Sequence, residues 1–377
     1  MKKYLYIIIV ALVAMSCVYE FTPDLLVEST KGLVVEGDIL IGDISRISIS
    51  AVEPLTGGTT RTVKGWAWIE DDAGGEYYPD ASIASNSFEI DMTKASPDRK
   101  YRLRVRLLDQ VTNSVNYSST WKEPQKAPII DELSYVTYDK DPLVHLQLSL
   151  SSNGGSGCFR WDYEEIWEYH AEILANYYYD VARNRVRAYD GLCPTYYCWA
   201  YDNSTQVGLA IAKSTSDEKI VKYRFLDLDR RQYQLQELYY IKLKARGISE
   251  ECYEYLHTIE LNSTSTGSLS QPDPSQVIGN LVCDDDPLEV VRGYIEVSSV
   301  SVATMFVDGG YYIPEAEAGG DVPPPILGTG LMTMEEAYSM NLRPSDTADH
   351  WVDVKCVDCT LMGGTKNKPA FWPTAHE

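Results

Sequence analysis

Two cysteines near the C-terminal end stand at a spacing that several kinds of chemistry use. Cys356 and Cys359 lie in the stretch CVDCTLMGGT. A structural zinc site commonly takes two close pairs of ligands, whereas His350 and His376, which would complete a set of four here, are far apart. A redox CxxC is followed by a helix, and two glycines follow this one. We therefore predict no metal and no cofactor, but a disulfide between Cys356 and Cys359 that closes a loop, provided that the chain is exported.

The N-terminus predicts export. The chain begins MKKYLYIIIVALVAMSC, with two lysines, an apolar run too short to span a bilayer, and a cysteine where cleavage is expected. This resembles a bacterial lipoprotein signal, so we predict a signal peptide at 1–16, diacylglycerol and palmitate on Cys17, and a lipidated tether at 17–30. Two or more acyl chains anchor a protein stably. The alternative is an ordinary cleaved signal in which Cys17 has no role.

The remaining cysteines allow a second short bridge. Cys193 and Cys198 stand in CPTYYC, a loop short enough for a disulfide, and an exported protein folds where disulfides persist. With Cys17 lipidated, seven cysteines remain of eight. Cys158, Cys252 and Cys283 are then either buried thiols or include one more bridge, and the odd number leaves at least one unpaired.

Two groups of acidic residues are candidates for a catalytic site and a calcium site. Glu164, Glu165 and Glu168 lie in FRWDYEEIWEYH, but strand alternation sends Glu164 and Glu168 away from Glu165, while a glycosidase needs two carboxyl groups that face each other. We interpret Glu165 as paired with an arginine inside the sheet. The stretch Asp284–Asp286 could hold calcium, although a solvated acidic turn is the simpler interpretation. No nucleophile elbow, HExxH or phosphate-binding loop is present, so we predict that the protein is not an enzyme.

Charge and aromatic content bear on partners. The formal net charge is -22, and it becomes -24 when the two lysines of the signal are removed. Such a chain is repelled by nucleic acid. Most of its 28 tyrosines fit the preference of tyrosine for strands. Trp66, Trp68 and Tyr77 are the candidate residues for binding a glycan or a peptide, because aromatic rings offer apolar area with a polar edge.

The first part of the mature chain alternates like strands. Residues 31–124 carry several such segments separated by turn signals, which predicts an immunoglobulin-like or fibronectin-like sandwich, and KEPQKAP at 122–128 resembles a linker. The clearest segment is YRLRVRLL, in which four apolar residues alternate with arginines: Tyr101, Leu103, Val105 and Leu107 against Arg102, Arg104 and Arg106.

A larger β domain is predicted at 125–313. It should contain one short helix near 249–260, where a serine and two glutamates favour a helix start. The segment 314–377 should be a loop-rich tail packed on this domain, with one short helix at TMEEAYSM, where Thr333 and Glu336 fit a capping box. The fold class is therefore mainly β, with two antiparallel sandwich-like domains and one or two short helices.

A series of short motifs carries a family resemblance. These motifs occur in order over nearly the whole mature chain: LVVEGDI, RWDYEEIWEY, CW at 198–199, ISEECYEY, PSQVIGNLV, GYIEVSSVS and CVDCTLMGGTKNKPAFW. The series resembles a family of Bacteroidota lipoproteins known only as a domain of unknown function, number four-two-four-nine. The resemblance implies an outer-membrane lipoprotein, often encoded beside TonB-dependent transporters of the starch-utilisation type, and implies no catalytic residue. The residues after Cys17, VYEF, lack a clear acidic patch of the kind that resembles a surface-export signal. Display at the cell surface and display on the periplasmic face therefore both stay as alternatives.

From these observations we expect an accessory protein that docks on, or delivers ligand to, a TonB-dependent nutrient-uptake transporter or its lid lipoprotein. One alternative is direct binding of a glycan or peptide through Trp66, Trp68 and Tyr77. A second alternative is a cryptic hydrolase, which would need facing carboxylates or a metal site.

Overall fold

The computed structural model describes residues 32–51, 63–80, 83–108, 114–205, 207–212, 218–264, 277, 279–312 and 332–373. Strands arranged in several sheets dominate these ranges, so the predicted mainly β fold is confirmed. The predicted signal peptide, the tether with Cys17 and the stretch 314–331 of the tail lie outside the described residues. Within them, no helix is long and apolar enough to cross a membrane.

Two sheets pack against each other as a first β-sandwich. In spatial order, one sheet consists of β19 (Val290–Arg292), β1 (Gly32–Gly37), β3 (Ile44–Ala51) and β6 (Ser87–Asp91). The other consists of β18 (Leu281–Cys283), β8 (Val115–Ser119), β7 (Tyr101–Leu107), β4 (Gly65–Asp71) and β5 (Glu76–Tyr77).

The alternation in YRLRVRL decides which side of β7 enters the core. Tyr101, Leu103 and Val105 are buried and share one apolar cluster with Ile69 of β4 and Ile90 of β6. The arginines between them lie on the opposite side, because successive side chains of a strand point to opposite faces. The predicted orientation of this strand is confirmed, and its arginines line the outer face of the sheet.

Two strands of the first sandwich come from late in the chain. β19 runs parallel to β1, with Val290 opposite Gly32, and β18 runs antiparallel to β8. The predicted division at residue 124 leaves out these strands, which complete both sheets. Strands of three residues show too little alternation to be assigned to a distant partner from sequence.

The second unit is built around a six-stranded sheet and a three-stranded sheet. The larger contains, in order, β14 (Tyr197–Asn203), β11 (Cys158–His170), β17 (Leu238–Ile248), β20 (Val297–Asp308) and β2 (Ile39–Ile41), with β15 (Gly208–Ile211) also paired to β11. The smaller contains β16 (Lys219–Asp229), β10 (Leu143–Ser151) and β9 (Ile129–Thr137). Leu148 of β10 packs in one cluster with Phe159 and Leu243 of the larger sheet. Two hairpin-like pairs are β12 (Tyr177–Asp180) with β13 (Arg185–Ala188) and β21 (Leu342–Pro344) with β22 (Trp351–Asp353).

Three α-helices lie in the described ranges: α1 (Glu250–Thr264), α2 (Met334–Ser339) and α3 (Val354–Val357). The predicted helix near 249–260 is confirmed as α1, and the Ser249 hydroxyl accepts a hydrogen bond from the Cys252 amide at 3.3 Å. Helix α2 has the predicted capping box between Thr333 and Glu336. Short 3-10 turns occupy Val181–Arg183, Tyr233–Leu235, Gly309–Tyr311 and Cys359–Met362.

One strand links the two units. After β1 the chain leaves the first sandwich, and β2 pairs in parallel with β20 of the second, Ile39 opposite Val297. Asp38, between β1 and β2, accepts hydrogen bonds from Arg160 at 2.6 Å and from Arg246 at 2.7 Å. Both arginines belong to the large sheet of the second unit, so this carboxylate joins the two units.

A histidine held by two carboxylates stands on β10. The Nδ1 atom of His145 lies 2.8 Å from Oδ1 of Asp227, and its Nε2 atom lies 2.9 Å from Oδ2 of Asp141. Because both ring nitrogens face carboxylate oxygens, the doubly protonated ring satisfies both contacts. Burial lowers the pKa of His145, but the hydrogen bonds to Asp227 and Asp141 outweigh burial and the nearby Arg224, so the pKa lies above its ordinary value.

We expect this arrangement to make stability depend on pH. A histidine with a raised pKa stabilises the fold fully below its unfolded pKa of about 6.5, and the stabilisation is lost as pH rises through the folded pKa. The free energy of unfolding in urea should therefore fall above about pH 6.5, by at most about 1.4 kcal/mol per pH unit. His145→Gln should remove this slope, whereas His257→Gln, on the partly exposed α1, should keep it. An unchanged slope in His145→Gln would contradict the assignment.

Candidate functional site

The three aromatic candidates do not lie on one surface. Trp66 and Trp68 point to the outer face of β4, away from the core. Tyr77 stands opposite Ile69 and therefore points inward, where its hydroxyl donates to Asp71 at 3.2 Å and its ring meets Tyr101 at 6.1 Å. A glycan platform made of all three rings is thus not formed, because strand register places Tyr77 on the opposite side of the sheet.

Trp68 is covered by its neighbours on the outer face. Its exposed fraction is 8%. The guanidinium groups of Arg104 and Arg106 lie over its ring at 5.9 and 5.4 Å, and Tyr78 stacks on it with ring centres 6.1 Å apart. Such cation–π contacts hold an arginine in place at modest energy. Tyr78, exposed to 58%, and the half-buried Trp66 remain accessible on this face.

The arginines of β7 are fixed by acidic partners along the same face. Arg102 donates to Glu70 at 2.7 Å and stands 4.6 Å over the ring of Trp121. Arg104 pairs with Asp284 at 3.3 Å. We call the outer side of β4, β7 and β8 the arginine–tryptophan face. Its ion pairs are partly exposed and contribute little stability, so their main effect is to order the side chains.

Arg106 differs from the other two arginines of the arginine–tryptophan face. It is exposed, and it donates to Oδ1 of Asn116 at 3.1 Å. Trp66 stands directly opposite it on β4. Tryptophan, tyrosine and arginine are the residue types that dominate protein interfaces. The accessible part of this face therefore presents the residue types that protein interfaces use.

The acidic turn Asp284–Asp286 is used for internal contacts. Asp284 also accepts from the Ser118 hydroxyl at 2.6 Å, and Asp285 accepts from the Asn116 amide at 2.7 Å. Asp286 accepts from the Leu288 amide at 3.0 Å. No group of three or more acidic, histidine or cysteine residues that could hold a metal occurs within the described ranges. The carboxylates here therefore brace the turn between β18 and β19.

The predicted bridge between Cys356 and Cys359 is wrong, and so is the one between Cys193 and Cys198. The disulfide joins Cys198 at the start of β14 to Cys359 after α3, with a sequence separation of 161. The backbone places these two segments side by side, as the Cys359 amide donates to the Thr195 carbonyl at 3.0 Å.

Cys193 and Cys356 are free thiols within one apolar cluster. The remaining candidates are also free and buried: Cys158, Cys252 and Cys283. With Cys359 in a disulfide, the four-ligand zinc set cannot form, and His376 lies outside the described residues.

The profile of a family described as "Domain of unknown function (DUF4249)" matches residues 18–304. The chain belongs to this family. No curated protein matches the chain. Among solved structures, the selenomethionine-substituted chicken interferon gamma receptor alpha chain is similar at 6% identity and a TM-score of 0.18, covering 56% of this chain and 86% of that one. So low a TM-score supports no conclusion about DUF4249.

The carboxylates on β11 of this DUF4249 chain have other partners than predicted. Glu165 is buried, and it accepts a hydrogen bond from the Tyr239 hydroxyl at 2.7 Å instead of pairing with an arginine. Burial raises the pKa of Glu165, which the Tyr239 hydrogen bond partly offsets. Glu168 faces the other side and accepts from the Trp372 indole at 2.9 Å. The two carboxylates therefore do not face each other across a cleft.

Sequence reasoning missed the partners of Trp68. The signal was present, because Arg104 and Arg106 alternate along YRLRVRL and Trp66 and Trp68 alternate along GWAWIED. The sequence does not show that β4 and β7 are neighbours, or that Trp68 stands opposite Arg104 in their register.

Proposed function

We propose that this DUF4249 protein is a lipid-anchored accessory protein of the outer membrane that docks on a TonB-dependent transporter or its lid lipoprotein. The signal-like N-terminus with Cys17 supports the anchor. The resemblance to lipoproteins encoded beside such transporters supports the partner. The protein would help the transporter to capture or pass on its nutrient.

The arginine–tryptophan face carries the proposal. Trp66, Tyr78 and Arg106 are accessible there, and neighbouring side chains hold Tyr78 and Arg106 in place. These residue types dominate the energetics of interfaces, and because Tyr78 and Arg106 are already held, binding costs them little side-chain entropy. The chain is strongly acidic overall, so we expect a partner surface with lysine or arginine around the contact and an association rate that falls with salt.

The anchor makes a modest surface sufficient. The residues 17–30 reach at most about 50 Å when fully extended, so the first sandwich would stay close to the membrane that holds the lipid. Confinement to one membrane raises the effective concentration of the protein near its partner. A docked complex would then persist even if its intrinsic affinity were moderate.

The glycan or peptide alternative would use the same face in a different way. Because Tyr77 points inward and Trp68 is covered, Trp66 is the accessible ring of the three candidates, and the exposed Tyr78 lies on the same face. That pair could stack on one or two sugar rings. Strong binding of a soluble glycan by a protein that cross-links to no transporter would favour this alternative.

We expect a double substitution on the face to disrupt docking. Trp66→Ala with Arg106→Ala should lower the yield of chemical cross-links to the transporter in native membranes by at least about tenfold, since two anchors of the interface are truncated. Phe371→Ala, in the second unit and 53% exposed, should leave the yield unchanged. Cys17→Ala should lower it by removing the anchor. Undiminished cross-linking in the double variant would reject this face, and no transporter cross-link in the unmodified protein would reject the function.

A further inference from the structure

Leu288 is the most exposed large apolar side chain among the described residues, at 91%. It stands in the turn between β18 and β19, in the stretch CDDDPLEV. The turn is held from several sides: the Leu288 amide donates to Asp286, the Glu289 amide donates to the Asp286 carbonyl at 3.0 Å, and Asp285 accepts from Asn116. The backbone that carries the exposed leucine is therefore held in place before it meets a partner.

The turn lies at the end of the sandwich where the N-terminal segment joins it. Gly32, the first described residue, pairs with Val290, two positions after Leu288. The chain before Gly32 is the predicted tether, so this end would lie nearest the anchoring membrane. Leu108, exposed to 54%, follows β7 at the same end, because Leu107 pairs with Val115 and the Asn116 carbonyl accepts a hydrogen bond from the Asp284 backbone amide. We call this end the tether pole.

Acidic residues flank the leucine in the sequence, and the side chains of Asp284, Asp285 and Asp286 are exposed. Asp284, Asp285, Asp286 and Glu289 all lie within four residues of it. Phosphate-bearing head groups of a membrane surface would be repelled by them. A protein with an apolar pocket and a rim of lysine or arginine would instead match both the apolar tip and the charge around it.

We propose that Leu288 inserts into an apolar pocket, rimmed by basic residues, on a protein embedded in the same membrane. This inference rests on the proposed function and adds the contact at the tether pole to the one at the arginine–tryptophan face. The leucine is 91% exposed in the free protein and becomes buried in the complex. Its burial should strengthen binding by roughly 10- to 100-fold.

Site-specific photo-cross-linking in intact cells tests the proposal. A diazirine-bearing amino acid placed at position 288 of the full-length protein should form an adduct with an integral outer-membrane protein, mapped to apolar residues next to lysine or arginine. Adducts with phospholipid alone would overturn the proposal, as would the absence of any adduct at 288. The same probe at position 66 separates the two proposals. If position 66 forms an adduct with the transporter and position 288 forms none with a protein, the Leu288 pocket is rejected and the docking function stands. If neither position forms a protein adduct, both the pocket and the docking function are rejected.

Substitution provides the quantitative measurement. Leu288→Asp should lower the yield of the complex in native membranes by roughly 10- to 100-fold. Leu288→Met, which keeps an apolar side chain at this position, should retain most of the yield. Val221→Asp, at a site 70% exposed on β16 of the second unit, is the matched control and should have no effect. Equal yields for Leu288→Asp and Val221→Asp would overturn the proposal.

Discussion

Replacing Cys198 and Cys359 with serine should lower the free energy of unfolding by about 5 kcal/mol in the chain-entropy model, because the bridge closes a loop across 161 positions. A bridge between Cys356 and Cys359 would close a very short loop and would stabilise far less. The disulfide also ties the C-terminal segment to β14 of the large sheet. We therefore expect the C-terminal segment to detach first when the bridge is absent.

Urea unfolding of the double serine variant against the oxidised protein measures this effect. Cys356→Ser is the matched control, since Cys356 is free in the structure and only half-buried. Peptide mapping without reduction should find Cys198 linked to Cys359. A linked Cys356–Cys359 peptide, or a double variant as stable as the oxidised protein, would be incompatible with the structure.

Asp38→Ala should lower the free energy of unfolding by about 3–5 kcal/mol, the usual effect of removing one partner of a buried ion pair. Asp38 is 5% exposed, and Arg160 and Arg246 both donate to its Oδ2 atom. Without this carboxylate two guanidinium groups would face each other in a buried place. Arg246 would keep its contact with Asp162, which limits the loss but does not relieve the repulsion.

The control for Asp38 is an ion pair of the same kind on the surface. Arg46 and Glu89 lie 2.8 Å apart with side chains 64% exposed, so Glu89→Ala should cost less than about 1 kcal/mol. Both variants would be compared by urea unfolding at one pH. If Asp38→Ala were no more destabilising than Glu89→Ala, the carboxylate would not be the link between the two units.

The local pattern of the sequence was sufficient for the elements whose own residues decide their shape. Alternation along YRLRVRL predicted the buried side of β7, and Ser249 and the pair Thr333 and Glu336 predicted the starts of α1 and α2. These predictions depend on neighbours within a few residues. Burial of one side of a strand and satisfaction of the first helical amides need no knowledge of the rest of the chain.

The tertiary structure alone decided what depends on segments far apart in the chain. Cys198 pairs with Cys359, and not with the nearer Cys193, because folding places β14 beside the turn after α3. Short strands from residues 281–292 complete the first sandwich for the same reason. The candidate site shows both sides: Trp66 and Trp68 were found as aromatic residues of one strand, but the cover over Trp68 and the inward position of Tyr77 follow from strand register. Register depends on the packing of whole sheets, which a single strand's residues do not specify.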